Sequence, residues 1–318
     1  MMNNNETDES IAGPINCNAC KSSRHNFYIT TGAMMSADDS SAFTFHRCDT
    51  CESVFLINPV QEEKLHSYYT ENYLPYRGAK AWGAYAPFVE WDDRLLNTKR
   101  VNMTLRHVQK TDDIHVLDIG CGKPDFLAKL SSMLKVNAVG VDFKAAQWDD
   151  PAYKNCSLIE GDWHTTELNY SFDVITAWHY LEHDYQPQET IEKCYTYLKP
   201  GGTLIIEVPM YEGILQKLQR ETWQGWHSPR HLTLFSLRSW KKMFPDKQWQ
   251  IVKHHRYGTL SAFTLWWLGR QERKKITWGG SMQHKFWSLV VWKVLLSPFF
   301  LLEKLIPMGV QIIIVRKK

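Results

Sequence analysis

The sequence predicts an α/β domain with a mostly parallel sheet and helices on both faces, preceded by a small four-cysteine module. Three observations predict it. After Asp113, apolar runs alternate with helical stretches: IHVLDIG, DFLAKLSSMLK, NAVGVDF, SLIEGDW, FDVITAW, ETIEKCYTYL and TLIIEVP. Strands apolar throughout are buried on both faces, and strands separated by helices pair in parallel. The run HVLDIGCGKPDFL sets a Gly-rich turn between a strand and a helix, and Cys17-x-x-Cys20 and Cys48-x-x-Cys51 share a segment with few helix signals.

Composition permits this plan. A chain of 318 residues with 44% apolar content supplies a sizeable core without disulfides. Lys and Arg number 37 against 34 acidic residues, a balance that gives no general attraction to nucleic acid. Residues 1–13 are polar and are expected to be disordered, with the fold starting near Pro14. They contain no apolar run of the secretory kind, so the default expectation is the cytosol.

Residues 14–59 read as a ribbon with strands near 26–31 and 42–47. With 27 residues between the pairs, Cys17, Cys20, Cys48 and Cys51 have the spacing of a structural zinc site, whose four thiolates close the tetrahedron. Cys121, Cys156 and Cys194 stand alone and read as small buried hydrophobes, and His25 and His46 as solvated or packed. Residues 60–112 show helical spacing and many aromatics, among them Tyr68, Tyr69, Tyr73, Tyr76, Trp82, Tyr85 and Trp91, which either close a pocket as a lid or form core.

Residues 113–318 form the main domain. Gly120 and Gly122 allow a sharp turn and close approach to a ligand, and the helix beginning near Pro124 offers free N–H groups. Asp142, 24 residues beyond Asp118, ends the next strand, where a carboxylate accepts from ribose hydroxyls. Asp162 and Trp163 set an acid beside an aromatic, suited to an adenine amino group and ring. Trp178 closes FDVITAW at the carboxyl end of its strand, where ligands of open α/β sheets bind.

Residues 113–210 resemble class I S-adenosylmethionine methyltransferases, motif by motif, through Leu198-Lys199-Pro200-Gly201-Gly202 before TLIIEVP. The resemblance implies a Rossmann-like, mostly parallel seven-stranded sheet. It implies that Asp118, Gly120 and Gly122 cradle the methionine part of S-adenosylmethionine, that Asp142 holds the ribose, and that Asp162, Trp163 and Trp178 lie along the cofactor. The family pattern has glycine where Pro124 stands. An NAD enzyme fits less well, because residues 120–125 read G-C-G-K-P-D and lack the third glycine of its fingerprint.

On the acceptor side, Trp178-His179-Tyr180-Leu181-Glu182-His183 follows the fourth strand. The Glu182-His183 pair resembles the E-H of quinone-biosynthetic O-methyltransferases, which have glutamate where His179 stands and in which the cluster can bind a divalent metal. His183 is the first candidate for a general base, with His179 and Glu182 beside it; the alternative is a pair that only anchors the loop. Residues 226–236 resemble a segment lying over the acceptor pocket in related enzymes. There His227, Arg230 and His231 are candidate substrate contacts, and Arg230 pairs either with an acidic substrate or structurally.

Residues 260–306 form an apolar insertion, expected to be helical, before the final strand GVQIIIVRKK. Residues 286–306 approach a transmembrane length but contain Lys293, Pro298, Glu303 and Lys304, and the chain must return to the sheet. The expectation is a helical pair against the cytoplasmic face of a membrane, with Arg270, Arg273, Lys274, Lys275 and Lys285 toward anionic lipid; the alternative is a helical subdomain or a dimer interface.

Together these features predict an S-adenosylmethionine-dependent methyltransferase acting on a small-molecule, sugar or lipid-linked acceptor, through O-methylation with a histidine base. The alternatives are an RNA methyltransferase or a non-catalytic cofactor-binding scaffold. Asp38, Asp39, Asp49 and Glu52 around the ribbon argue against nucleic acid.

Overall fold

The computed structural model describes residues 15–36, 39–70, 73–108, 112–145 and 147–318; the tail expected to be disordered, Pro14 and Asp38 lie outside them. The ribbon strands are β1 (His25–Gly32), β2 (Ala42–Cys48) and β3 (Val54–Leu56). The main domain contributes β4 (Ile114–Ile119), β5 (Val136–Asp142), β6 (Cys156–Glu160), β7 (Phe172–Trp178), β8 (Leu198–Pro209), β9 (Thr233–Leu234), β10 (Trp249–His255) and β11 (Val310–Lys317).

Seven strands form one sheet in the order β10-β11-β8-β7-β4-β5-β6, parallel from β8 to β6, with β11 antiparallel to both its neighbours. The apolar runs become these strands because both faces are covered: Ile205, Ile206, Val208 and Ile312 to Val315 are all essentially buried. Strand order reverses at β4, which has β5 on one side and β7 on the other. The crevice at the carboxyl ends of β4, β5 and β7 is therefore the switch point where such sheets bind ligands.

The ribbon is not separate from this body. Its sheet continues as β1-β2-β3-β9, the last strand coming from residues just past His231. Cys17, Cys48, Cys51 and Phe55 share a core with Phe235, Trp240 and Ile313 of the main domain. Among the lead-in aromatics, Tyr73 and Trp82 are buried, and Trp82 packs on Trp267 of the insertion at 5.6 Å. The insertion is helical, as Ala262–Arg273 and Phe286–Phe300, and the lead-in ends in the helix Ala86–Leu105.

Candidate active site

The cofactor end begins where β4 stops. Gly120 and Gly122 take positive φ of 67° and 48°, conformations that favour glycine. A Cβ on Gly120 would meet the Tyr180 ring at 2.5 Å, whereas one on Gly122 would meet nothing within 4 Å, so the turn is open on that side. The following helix, Asp125–Met133, has Pro124 as its N-cap.

Asp118 is buried and accepts the Thr176 hydroxyl at 2.6 Å; burial pushes its carboxyl up to about 7. Asp142 accepts the Gly122 amide at 2.8 Å and the Lys144 amide at 3.1 Å, which ties the glycine turn to the end of β5. Burial outweighs these bonds and raises its carboxyl above the ordinary range. Asp162 is exposed and accepts the His164 amide. Trp163 lies in the core, with Lys193 Nζ 4.9 Å from its ring centre and Tyr197 at 5.9 Å, so its ring is covered on that side.

One residue here escaped the sequence reading. Arg100, from the helix Ala86–Leu105, sets its guanidinium 5.2 Å from the centre of the Trp178 ring. Its Nε is buried without a partner among the described residues, and the charges of Glu207, Asp118 and Asp93 act on it. A half-buried cation with an orphaned donor, within the field of Asp118 in β4, has spare capacity for an anion. Its sequence signal is the stripe Asn97, Arg100, Thr104 on the same helix as buried Val101, polar residues where apolar ones would face the body.

At the acceptor end, His179 adopts a positive φ of 56°, costly for a residue with a side chain and common where a site imposes geometry. Its Nδ1 donates to Glu182 Oε1 at 3.0 Å and its Nε2 to Glu207 Oε1 at 3.1 Å. Burial works against charge, but the two carboxylates outweigh it and hold the imidazole at about 9. Glu207 correspondingly falls to about 2, although burial alone would raise it. His179 is thus an imidazolium with both N–H groups engaged and has no lone pair to act as a base, a correction to its expected role. Glu207 was also missed, although a lone acid inside TLIIEVP is its signal.

His183 differs. Its Nδ1 lies 3.0 Å from the Arg230 carbonyl, which can only accept, so the proton sits on Nδ1 and the Nε2 lone pair is left over. Burial lowers its pKa, which keeps the ring neutral. His231 repeats the arrangement, with Nδ1 donating to the Gly225 carbonyl at 2.8 Å and burial holding it neutral. Glu182, wholly buried, accepts through Oε1 while its Oε2 has no partner among the described residues. Ligand atoms of Glu182, His183 and His231 lie within 4.8 Å of one another.

Aromatics of the lead-in roof this cluster: the Tyr69 hydroxyl is 3.1 Å from His183 Nδ1, and the Tyr73 hydroxyl 2.8 Å from His227 Nε2. Arg230, expected to meet an acidic substrate or a structural partner, is 1% exposed and donates to the carbonyls of Tyr68 and Met34. Its guanidinium also lies 4.5 Å from the centre of the Tyr73 ring, so it fastens the roof to the ribbon rather than presenting charge to a ligand.

The four ribbon cysteines converge as their spacing implied. Cys17 and Cys51 Sγ are 3.6 Å apart, as are Cys20 and Cys48. These match the edge of about 3.7 Å expected for four thiolates around zinc. The two knuckles are built alike: the Lys21 amide donates to the Cys17 carbonyl and the Glu52 amide to that of Cys48, with φ of 58° and 65°. The structure also joins this module to the site, since the Leu56 amide donates to the Leu232 carbonyl and the Leu232 amide to that of Glu182.

Residues 90–254 match the family model described as a methyltransferase domain, slightly more than half of the chain. The chain belongs to the class I S-adenosylmethionine-dependent methyltransferase family. Among curated relatives of this methyltransferase, the mitochondrial ubiquinone biosynthesis O-methyltransferase of Mus musculus is 31% identical over 149 residues, 39% of each chain. The tRNA U34 carboxymethyltransferase of Pseudoalteromonas atlantica is 28% identical over 115 residues, 34% of this chain and 35% of that one. The chain thus spans about two fifths of the length of these relatives. Among solved structures, coclaurine N-methyltransferase bound to N-methylheliamine and SAH superposes at a TM-score of 0.48, 14% identical, covering 70% of this chain and 72% of that one.

Proposed function

We propose that the chain transfers a methyl group from S-adenosylmethionine to the oxygen of a small-molecule acceptor, with His183 as the base that removes the acceptor's proton. The observation that carries the role of His183 is its hydrogen bonding: Nδ1–H is committed to the Arg230 carbonyl, and a neutral ring keeps its Nε2 lone pair. Bound S-adenosylmethionine supplies an electrophilic methyl on a cationic sulfur, so the protein's task is alignment and deprotonation.

The residues present fit that cofactor. The Gly122 side of the turn is open, Asp142 stands at the end of β5 for the ribose, and Asp162 is exposed toward the adenine end. The orphaned donor of Arg100 suits the methionine carboxylate. His179, held positive between Glu182 and Glu207, fixes the strained loop that carries His183. The O-methyltransferase relative supports oxygen as the acceptor atom. We further assign zinc to Cys17, Cys20, Cys48 and Cys51, where it stabilises the ribbon.

A second reading of the acceptor cluster has its own observation, the buried and unpartnered Oε2 of Glu182. In it Glu182, His183 and His231 hold a divalent cation, both imidazoles having their other nitrogen committed to a carbonyl as metal-bound histidines do. Such an ion would lower the pKa of an acceptor hydroxyl.

The test is transfer of labelled methyl from S-adenosylmethionine into small-molecule, lipid and RNA fractions, with parent protein and His183→Asn. Label is expected outside the RNA fraction. The substitution should slow turnover by about a hundredfold or more at unchanged cofactor affinity. Label in RNA alone would sink the acceptor class, and full activity of His183→Asn would remove it as base. Stoichiometric metal beyond zinc by elemental analysis would favour the second reading.

A further inference from the structure

The helix Phe286–Phe300 is apolar all round, which a surface helix of a protein surrounded by water is not. One side packs against the body through Phe286, Trp292 and Phe300. The other leaves Trp287, Val291, Val294 and Leu295 at 52–66% exposure, and the stripe runs on through Leu301 and Leu305, at 79% and 80%. Of the apolar window in the helical stretch Gln283–Lys304, 11% is buried.

A second element widens the face. The helix Ala86–Leu105 exposes Phe88, Trp91 and Leu95, spaced to share one side. It is fastened alongside by Tyr85 stacked on Phe286 at 4.0 Å and by Lys293 paired with Asp92 at 2.9 Å.

The insertion beside this face carries an excess of positive charge, while the helix Ala86–Leu105 adds the exposed Glu90 and Asp93. Residues 262–306 hold seven Lys and Arg against two acids. Both acids turn to the protein: Glu272 accepts from the Met35 amide and Gln224, and Glu303 from the Ala262 amide. Lys274, Lys275 and Lys304 stay exposed.

We propose that this two-helix face docks the enzyme on the surface of an anionic lipid bilayer, with the apolar stripe at the headgroup boundary and the lysines against lipid phosphates. An apolar stripe with a basic margin and flanking tryptophans suits that interface. A crossing is ruled out by the chain itself, since Val310–Lys317 follows five residues after Leu305 and pairs with β8 inside the sheet.

The inference does not rest on the methyl-transfer reading, and its test reads binding alone. The full chain is floated with phosphatidylcholine vesicles and with vesicles containing one third phosphatidylglycerol, and sized by gel filtration. It should float with the anionic vesicles and remain below with the neutral ones. Val294→Asp with Leu305→Asp, both on exposed positions, should cut recovery by roughly tenfold or more, and Lys274→Gln with Lys275→Gln by roughly tenfold, each with the parent's circular dichroism. A parent that floats with neither vesicle, floats equally with both, or keeps floating after the Asp substitutions overturns the proposal. A parent dimer that the Asp pair converts to monomer, without flotation, makes the face an interface between copies instead.

Discussion

Replacing Glu207 with Gln removes one of the two carboxylates that hold His179 charged. The imidazole stands at about 9 instead of its ordinary 6.5. At about 1.4 kcal/mol for each tenfold in proton affinity, burial opposed by the two carboxylates leaves a net preference for the imidazolium of about 3 kcal/mol. Glu207 also accepts from the Thr259 amide and hydroxyl, so an amide nitrogen in its place sets donor against donor. The expected loss of stability near neutral pH is about 2–4 kcal/mol, read from denaturant unfolding followed by tryptophan fluorescence.

The pH dependence separates the two contributions. A group whose folded pKa is raised gives stability that is full below its unfolded value and lost as pH rises through the folded one. The His179 contribution is therefore complete below about pH 6.5 and gone above about pH 9. Glu207, depressed from 4.5 to about 2, contributes above pH 4.5 and loses its share as pH falls toward 2. The gap between parent and Glu207→Gln should narrow by at least about 1 kcal/mol between about pH 6 and pH 10, leaving the Thr259 part. An equal gap at both ends, or a variant within about 0.5 kcal/mol of the parent at neutral pH, would refute the charged state of His179.

Arg100→Met should weaken cofactor binding by about 2 kcal/mol, near thirtyfold, for S-adenosylmethionine and its demethylated product alike; unchanged calorimetric affinity would remove it from the site. Cys48→Ser should release zinc and also loosen residues 232–234, which hang on β3; full metal content by elemental analysis would refute the four-thiolate site.

What the sequence made legible follows burial. β4, β5, β7 and β8 are covered on both faces over most of their length and read as predominantly apolar runs, so their order and the Gly120–Gly122 turn could be seen in advance. β10 went unseen because it is an edge strand, half-exposed, with Lys253, His254 and His255 interrupting any pattern. β9 has two residues and exists only because β3 lies beside it, a pairing across 180 positions from Val54 to Leu234 that no local signal encodes. At the site, residue types clustered within a few positions, such as Glu182 and His183, announced themselves. Arg100 and Glu207 meet His179 and Trp178 only through the fold, and whether a histidine is base or imidazolium depends on partners such as Arg230 and Glu207 that lie far along the chain.

The most direct measurement is calorimetric titration of the purified protein with S-adenosylmethionine, S-adenosylhomocysteine and NAD. Micromolar binding of the first two, with none of NAD, is the expected result and would tie the Gly120–Gly122 turn, Asp142 and Arg100 to one ligand. Binding of NAD, or of none of the three, would contradict it.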